Sequence, residues 1–367
     1  MTISTRNLTA AAELTLESLH SHFETQIREF DKELVQYLGR FEKPDAHYGM
    51  IRYHFGFADH ELRPLDQTEF LPRGKRLRPI LCMLFCRMMA IRPDIAKSIM
   101  MASEVMHCAS LAHDDIEDRD SFRWGRPTIN SLFGMDQAIN LGDALIGLVY
   151  QILLELRTKD VGPAALLDVI EIFNRTHIRM CEGQHLDLKY KCYEDVEIEE
   201  YFDMIFRKTA SPCLCIAETI SVLASCSDNT RRCLTRFGES LGVLYQICDD
   251  IRGIWCEPKK LGRPVGGDVC MQKAALPLIY GFKSGSKKFR ALVAETSSNL
   301  QAISLERLND IRNELAACGA EEMCFRDARR YYQQALNSLR NLNMGNPEIG
   351  VLQSIVRSCV ASVGVTN

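Results

Sequence analysis

The chain is apolar at helical spacing almost everywhere, and it alternates nowhere. Between residues 13 and 38, Leu16, Leu19, Phe23, Ile27, Phe30 and Leu34 recur at steps of three or four. That spacing puts them on one face of an amphipathic helix. IAKSIMMASEVMHCASLAHDDIED reads as a second long helix, and further helices are predicted at 135–156, 164–190, 197–225 and 229–254. From residue 273 the helices continue, broken near Gly285, Gly319 and Gly345. No stretch sustains the period-two pattern of a half-buried strand. The pattern predicts an all-α protein, a bundle of long helices. Residues 56–75, with Gly56, Gly74 and two prolines, are expected to be a loop, as are 256–268. Gly125 and Pro127 mark a turn.

Composition removes several function classes. A formal net charge of -4 over 367 residues argues against a nucleic-acid surface. The fifteen cysteines are odd in number and form no CxxC pair, so they read as buried reduced thiols rather than disulfides or a zinc site. The N-terminus lacks an apolar signal core. The apolar run ALIGLVYQILL, residues 144–154, is too short to cross a bilayer. The expectation is a soluble cytoplasmic protein without a membrane span. It is read as one domain over 1–367, with an N-terminal helical segment at 1–60 and a core at 70–340.

Charge is concentrated where it is least expected. Asp114 and Asp118 are four apart, one turn on one helix face, at the end of an apolar run. Acids there oppose the helix macrodipole and repel each other, so a cation should offset both effects. Asp249 and Asp250 close a second apolar helix. Oxygen-only donors, few per cluster, suit Mg²⁺ completed by substrate phosphates. Basic residues lie beside both clusters: Lys75 and Arg78 in RGKRLRP, Arg123 and Arg126 after the first, Lys208 in FRKTAS, and Arg263 and Lys273 around the glycine-rich loop. With Mg²⁺ they make a diphosphate site.

In order along the chain stand GKRLRP (74–79), DDIED (114–118), GRPT (125–128), GDAL (142–145), EGQHLDL (182–188), KTA (208–210), QICDD (246–250) and LGRPVGGD (261–268). This ordered set resembles the trans-isoprenyl diphosphate synthases, or polyprenyl synthetases, over residues 70 to 340. The resemblance implies an isoprenoid-synthase-type bundle of long helices around a central active-site cavity, and a homodimer. It implies joining of isopentenyl diphosphate to an allylic diphosphate, geranylgeranyl diphosphate synthase fashion. Three Mg²⁺ ions would hold the allylic diphosphate through the two acid motifs, Asp114, Asp115 and Asp118 with Asp249 and Asp250. Arg123, Lys208, Lys273 and Arg263 would stabilise the leaving group, and Thr209 and Gln246 would flank the allylic cation. Lys75, Arg78 and His107 would bind isopentenyl diphosphate. Met106, Ala109 and Ser110, just before the first acid motif, would set product length. The small Ala109 and Ser110 imply twenty carbons or more.

Two positions depart from the family pattern. Its second consecutive arginine, which also serves isopentenyl diphosphate, is here Trp124, and Gly253 stands where a third acid is common. Either Arg126 or another cation substitutes at the first of these, or the acceptor is bound weakly or is different. The alternatives are therefore prenyl transfer to another acceptor such as an indole, a class I terpene cyclase, or a non-catalytic partner subunit. The retained GKRLRP argues against the cyclase, and the intact acids argue against the silent subunit.

Overall fold

A computed structural model describes residues 21–41, 43–190, 195–256, 266–271, 273–284, 286–297 and 303–363, with backbone alone at 268 and 297. Among them regular structure is helical throughout, apart from one two-stranded hairpin, β1 (Phe122–Arg123) and β2 (Arg126–Pro127). The described residues gather into two compact units, one within 18–174 plus 216–226, the other within 175–215 plus 227–367.

The first unit is built on α1 (Glu24–Leu38), α2 (Asp45–Phe55), α3 (Leu77–Met88), α4 (Pro93–Glu117), α5 (Ile129–Phe133) and α6 (Met135–Leu154). Proline opens α4 at its first turn, where its missing N–H costs nothing. Gly56, in a left-handed conformation at φ 85°, ends α2 and starts the expected loop. α4 packs along α3 and α6, burying Ala102, Val105, Met106 and Ala109. Small residues on this face let the long helices approach closely. The apolar run around 144–154 belongs to a longer helical stretch than expected, Met135–Lys159, long enough by composition to cross a bilayer and less than half buried. Met135, Ile139 and Leu154 on it are exposed, as is Leu132 just before it.

α7 (Pro163–Lys189) and α8 (Ile198–Ile205) follow. A π-helical turn, Phe206–Ala210, joins α8 to α9 (Ser211–Leu223). The sequence periodicity had read 197–225 as one unbroken helix. The second unit centres on α10 (Asp228–Trp255), capped by Ser227, whose hydroxyl accepts from the Thr230 N–H at 3.2 Å. After α11 (Gly267–Cys270) come α12 (Leu276–Lys283), α13 (Lys287–Ser297), α14 (Leu305–Ala317), α15 (Ala320–Asn341) and α16 (Pro347–Ala361). α15 lies along α10 and supplies Cys324, Ala328, Ala335 and Leu339 to the core. No cysteine among the described residues is disulfide-bonded. Most are buried, as the scattered pattern implied.

Candidate active site

In the first unit α4 ends at Glu117, with Asp118 as its C-cap. The Asp118 N–H donates to the Asp114 carbonyl at 2.8 Å, so these two acids stand one turn apart, both half-buried. The last turn carries no basic residue, so both carboxylates face the negative end of the dipole. Asp115 differs. It is 2% exposed and accepts from Arg123 Nε at 2.5 Å. Burial raises its pKa to about 6 in spite of that guanidinium. Arg123 also reaches Asp120 at 3.4 Å. It is therefore braced beside the acid motif by two carboxylates.

The GKRLRP stretch sorts its cations by partner. Arg76 is buried at the start of α3 and is held by Asp31 at 3.0 Å and Glu104 at 2.6 Å. Arg73 binds the other oxygen of Asp31 at 2.7 Å. Lys75 is exposed and Arg78 half-buried, and neither makes an ion pair among the described residues; Arg78 Nε is buried with no acceptor. Burial, and next the charge of Arg78, keep the His107 imidazole neutral, well below its ordinary range. Met106 and Ala109 are buried in α4, and the Ser110 hydroxyl donates to the His107 carbonyl at 2.8 Å.

Arg126 cannot stand in for the missing arginine. Its Nε donates to the Pro72 carbonyl at 2.9 Å, its Nη2 to the His54 carbonyl at 2.6 Å and its Nη1 to the Tyr53 carbonyl. With every nitrogen on a backbone carbonyl and little surface exposed, no fork is left for a phosphate.

In the second unit the π-turn presents Lys208 and Thr209. Lys208 Nζ donates to Asp187 at 2.6 Å. The Thr209 hydroxyl donates to Gln246 Oε1 at 2.8 Å, and Gln246 Nε2 donates to Asp250 at 2.8 Å. Asp250 further accepts from the Tyr201 hydroxyl at 2.7 Å and the Leu276 N–H at 2.8 Å. The chain of donors fixes which way the Gln246 amide points. Two glycines make the π-turn possible: a Cβ at Gly183 would lie 2.4 Å from the Lys208 nitrogen, and one at Gly242 2.4 Å from the Ala210 Cα. Asp249 is half-buried, with Arg252 at 3.1 Å. This acid pair lies before the helix end, since α10 continues to Trp255. Lys273 is half-buried between α11 and α12. Arg263 lies outside the described residues.

The five acids thus fall into two kinds. Asp115 and Asp250 are buried on protein donors, whereas Asp114, Asp118 and Asp249 are half-buried. Sequence reasoning missed Asp31, Glu104, Asp187 and Tyr201 as partners. Asp187 was legible as one of the two acids inside EGQHLDL. Asp31 lies four residues after Ile27 and three before Leu34, on the apolar stripe, and a charge there needs a partner.

Half-buried carboxylates at Asp114, Asp118 and Asp249, and cations at Lys75 and Arg78 that make no ion pair among the described residues, stand on an all-α fold of the isoprenoid-synthase kind. Comparison with known proteins agrees. The polyprenyl synthetase family profile matches residues 62–311. The (2E,6E)-farnesyl diphosphate synthase of Mycobacterium tuberculosis is 30% identical over 315 residues, covering 85% of each chain. The geranylgeranyl diphosphate synthase of Sulfolobus acidocaldarius is 30% identical over 274 residues, 75% of this chain and 82% of that one. Among solved structures, a polyprenyl synthetase from Streptomyces coelicolor superimposes with a TM-score of 0.78 at 26% identity, over 90% of this chain and 96% of that one. The chain belongs to the polyprenyl synthetase family, and as such is a trans-prenyltransferase that makes prenyl diphosphates.

Proposed function

We propose that the protein condenses isopentenyl diphosphate with an allylic diphosphate in a Mg²⁺-dependent reaction and releases a trans-prenyl diphosphate of twenty or neighbouring carbons. The observation that carries this reading is the pair of uncommitted cations, Lys75 and Arg78, beside a neutral His107. A diphosphate supplies the charge they lack. The relatives named above are synthases, so transfer to an indole, or cyclisation, is set aside.

Asp114, Asp118 and Asp249 are the residues that would hold Mg²⁺. Among the described residues no three His, Cys, Asp or Glu side chains converge closely enough to hold a metal ion by themselves. A site of few carboxylates suits a metal that takes substrate phosphates into its shell. When bound, three such ions would offset the charge gathering on the departing diphosphate. Arg123, Lys208 and Lys273 add fixed positive charge there, with Arg263 assigned by resemblance alone. Asp115 keeps Arg123 in place, and Asp187 does so for Lys208. As the allylic C–O bond breaks, the Thr209 and Gln246 dipoles, held by Asp250, face the cation that forms. The double bond of isopentenyl diphosphate attacks that cation, and the proton then lost passes to the released diphosphate. The neutral His107 contributes a hydrogen bond to the acceptor diphosphate rather than a charge. We also propose a homodimer, whose partner would cover the exposed apolar residues Leu132, Met135, Ile139 and Leu154.

The test is incubation with Mg²⁺ and dimethylallyl, geranyl, farnesyl or geranylgeranyl diphosphate, each with and without isopentenyl diphosphate, read by mass spectrometry. Longer diphosphates should form only when isopentenyl diphosphate is present. A hydrocarbon or alcohol from one allylic diphosphate alone would overturn the reading.

A further inference from the structure

Lys75 sits in residues 72–76, an irregular stretch that must be held still if the lysine is to bind anything. Three of its neighbours are fixed by polar contacts. The Pro72 carbonyl takes a hydrogen bond from Arg126, Arg73 is paired with Asp31, and Arg76 with Asp31 and Glu104. Gly74 is fixed differently. The Trp124 indole lies so close over it that a Cβ at 74 would stand 3.0 Å from ring carbon Cζ2. The indole also packs with Arg126, whose guanidinium carbon is 5.6 Å from the ring centroid. Its three carbonyl contacts make that guanidinium immobile.

Trp124 also holds a costly backbone conformation. It and Gly125 form the turn between β1 and β2 with φ of 52° and 76°. Asn, Asp or Gly is the usual occupant of such a turn, and a bulky residue there is uncommon. Its fit against Gly74 and Arg126 offsets that cost.

We infer that Trp124 is a positioning residue for the acceptor diphosphate: by packing on Gly74 it fixes Lys75, so the subsite works with the charges of Lys75 and Arg78 and no third cation. This rests on the proposed condensation and adds to it the means by which this chain seats isopentenyl diphosphate. Trp124 works through shape where a guanidinium would work through charge.

Steady-state kinetics with each substrate varied in turn separate the two. Trp124→Ala should raise KM for isopentenyl diphosphate about tenfold, the effect of one well-placed charged contact. KM for the allylic diphosphate should stay within about twofold on the same scale. Gly74→Ala, which sets a methyl against ring carbon Cζ2, should reproduce the pattern, and Trp124→Phe should fall between. Fluorescence gives an independent reading, because the chain has only two tryptophans, Trp124 and Trp255. In a Trp255→Phe background, emission should respond to isopentenyl diphosphate without Mg²⁺, saturating at the concentration where the kinetics do.

Several results would overturn the inference. One is an unchanged KM for isopentenyl diphosphate in Trp124→Ala; another is a parallel rise in KM for both substrates. A third is Trp124→Arg tightening the acceptor while Trp124→Ala does nothing, which would make charge the missing element. Should no allylic diphosphate be elongated at all, the proposed function fails, and the fluorescence titration still decides whether Trp124 senses a diphosphate at Lys75.

Discussion

Asp31 offers the most direct test of how the N-terminal segment serves the rest of the chain. Its carboxylate is 0% exposed and receives Arg73 at 2.7 Å and Arg76 at 3.0 Å; Arg76 in turn reaches Glu104 at 2.6 Å. Burial alone would push the Arg76 pKa down, but Glu104 and Asp31 outweigh it and raise it. The group of two acids and two bases is neutral as a whole. Asp31→Asn keeps the size and leaves one positive charge without its counterpart among buried groups. Removing one member of a buried pair costs about 3–5 kcal/mol. Arg73 is partly open to water, and that solvation places the expectation at the lower end, about 3 kcal/mol. Amide hydrogen exchange in α1 and at the start of α3 should then speed up by about two powers of ten, since 1.4 kcal/mol is one. Amides of α15, in the other unit, serve as the internal control. A double-mutant cycle with Arg73→Met isolates the pair: the double variant keeps Arg76 and Glu104 as a neutral buried pair and should be less impaired than Asp31→Asn alone. If Asp31→Asn exchanged like the parent to within about 1 kcal/mol, the buried network would not be holding the N-terminal helix on the Lys75 segment.

Three further outcomes are expected. His54 is buried, its Nε2–H donating to the Cys108 carbonyl at 2.8 Å, and burial lowers its pKa from 6.5 to about 3. The unfolded chain therefore takes up a proton below pH 6.5 that the folded chain refuses until about pH 3, so stability should fall with pH through that window. The slope is up to about 1.4 kcal/mol per pH unit, and His54→Gln should flatten it in denaturant titrations run at several pH values. Ala109→Tyr, which brings a bulky ring to the helix position before the first acid motif, should shorten the main product to fifteen carbons or fewer by mass spectrometry. An unchanged product distribution would place the length-setting floor elsewhere. Lys208→Gln removes the π-turn cation paired with Asp187 and should lower kcat by about 10²–10³ while leaving KM for isopentenyl diphosphate unaltered.

How much of this was legible in the sequence depends on the distance over which each fact is decided. Helices were legible because their pattern repeats every few residues. The limits of α4, α7 and α10 fall within two residues of the periodicity. The π-turn at Phe206–Ala210 was not, because it takes up only five residues inside an otherwise continuous helical run. Only Gly183 and Gly242, on two other helices, hint at it. The acid motifs were legible as positions. That Asp115 and Asp250 turn inward while Asp114, Asp118 and Asp249 stay half-exposed was not.

The arginines show the physical limit most clearly. Within RGKRLRP and RWGRP the sequence offers Arg73, Lys75, Arg76, Arg78, Arg123 and Arg126, six cations with nothing local to tell them apart. Their fates are set by groups far along the chain. Arg73 and Arg76 are neutralised by Asp31, more than forty residues earlier, and Arg126 is fastened to carbonyls more than fifty residues earlier. What remains uncommitted, Lys75 and Arg78, is a residue left over by folding rather than a motif in itself. The two cations assigned to the acceptor diphosphate are the ones the fold leaves out of ion pairs, whereas Arg123 and Lys208 each keep a carboxylate partner. The substitution that removes a guanidinium at position 124 is therefore tolerable only if the remaining two are held accurately, and that is the part the indole against Gly74 plays.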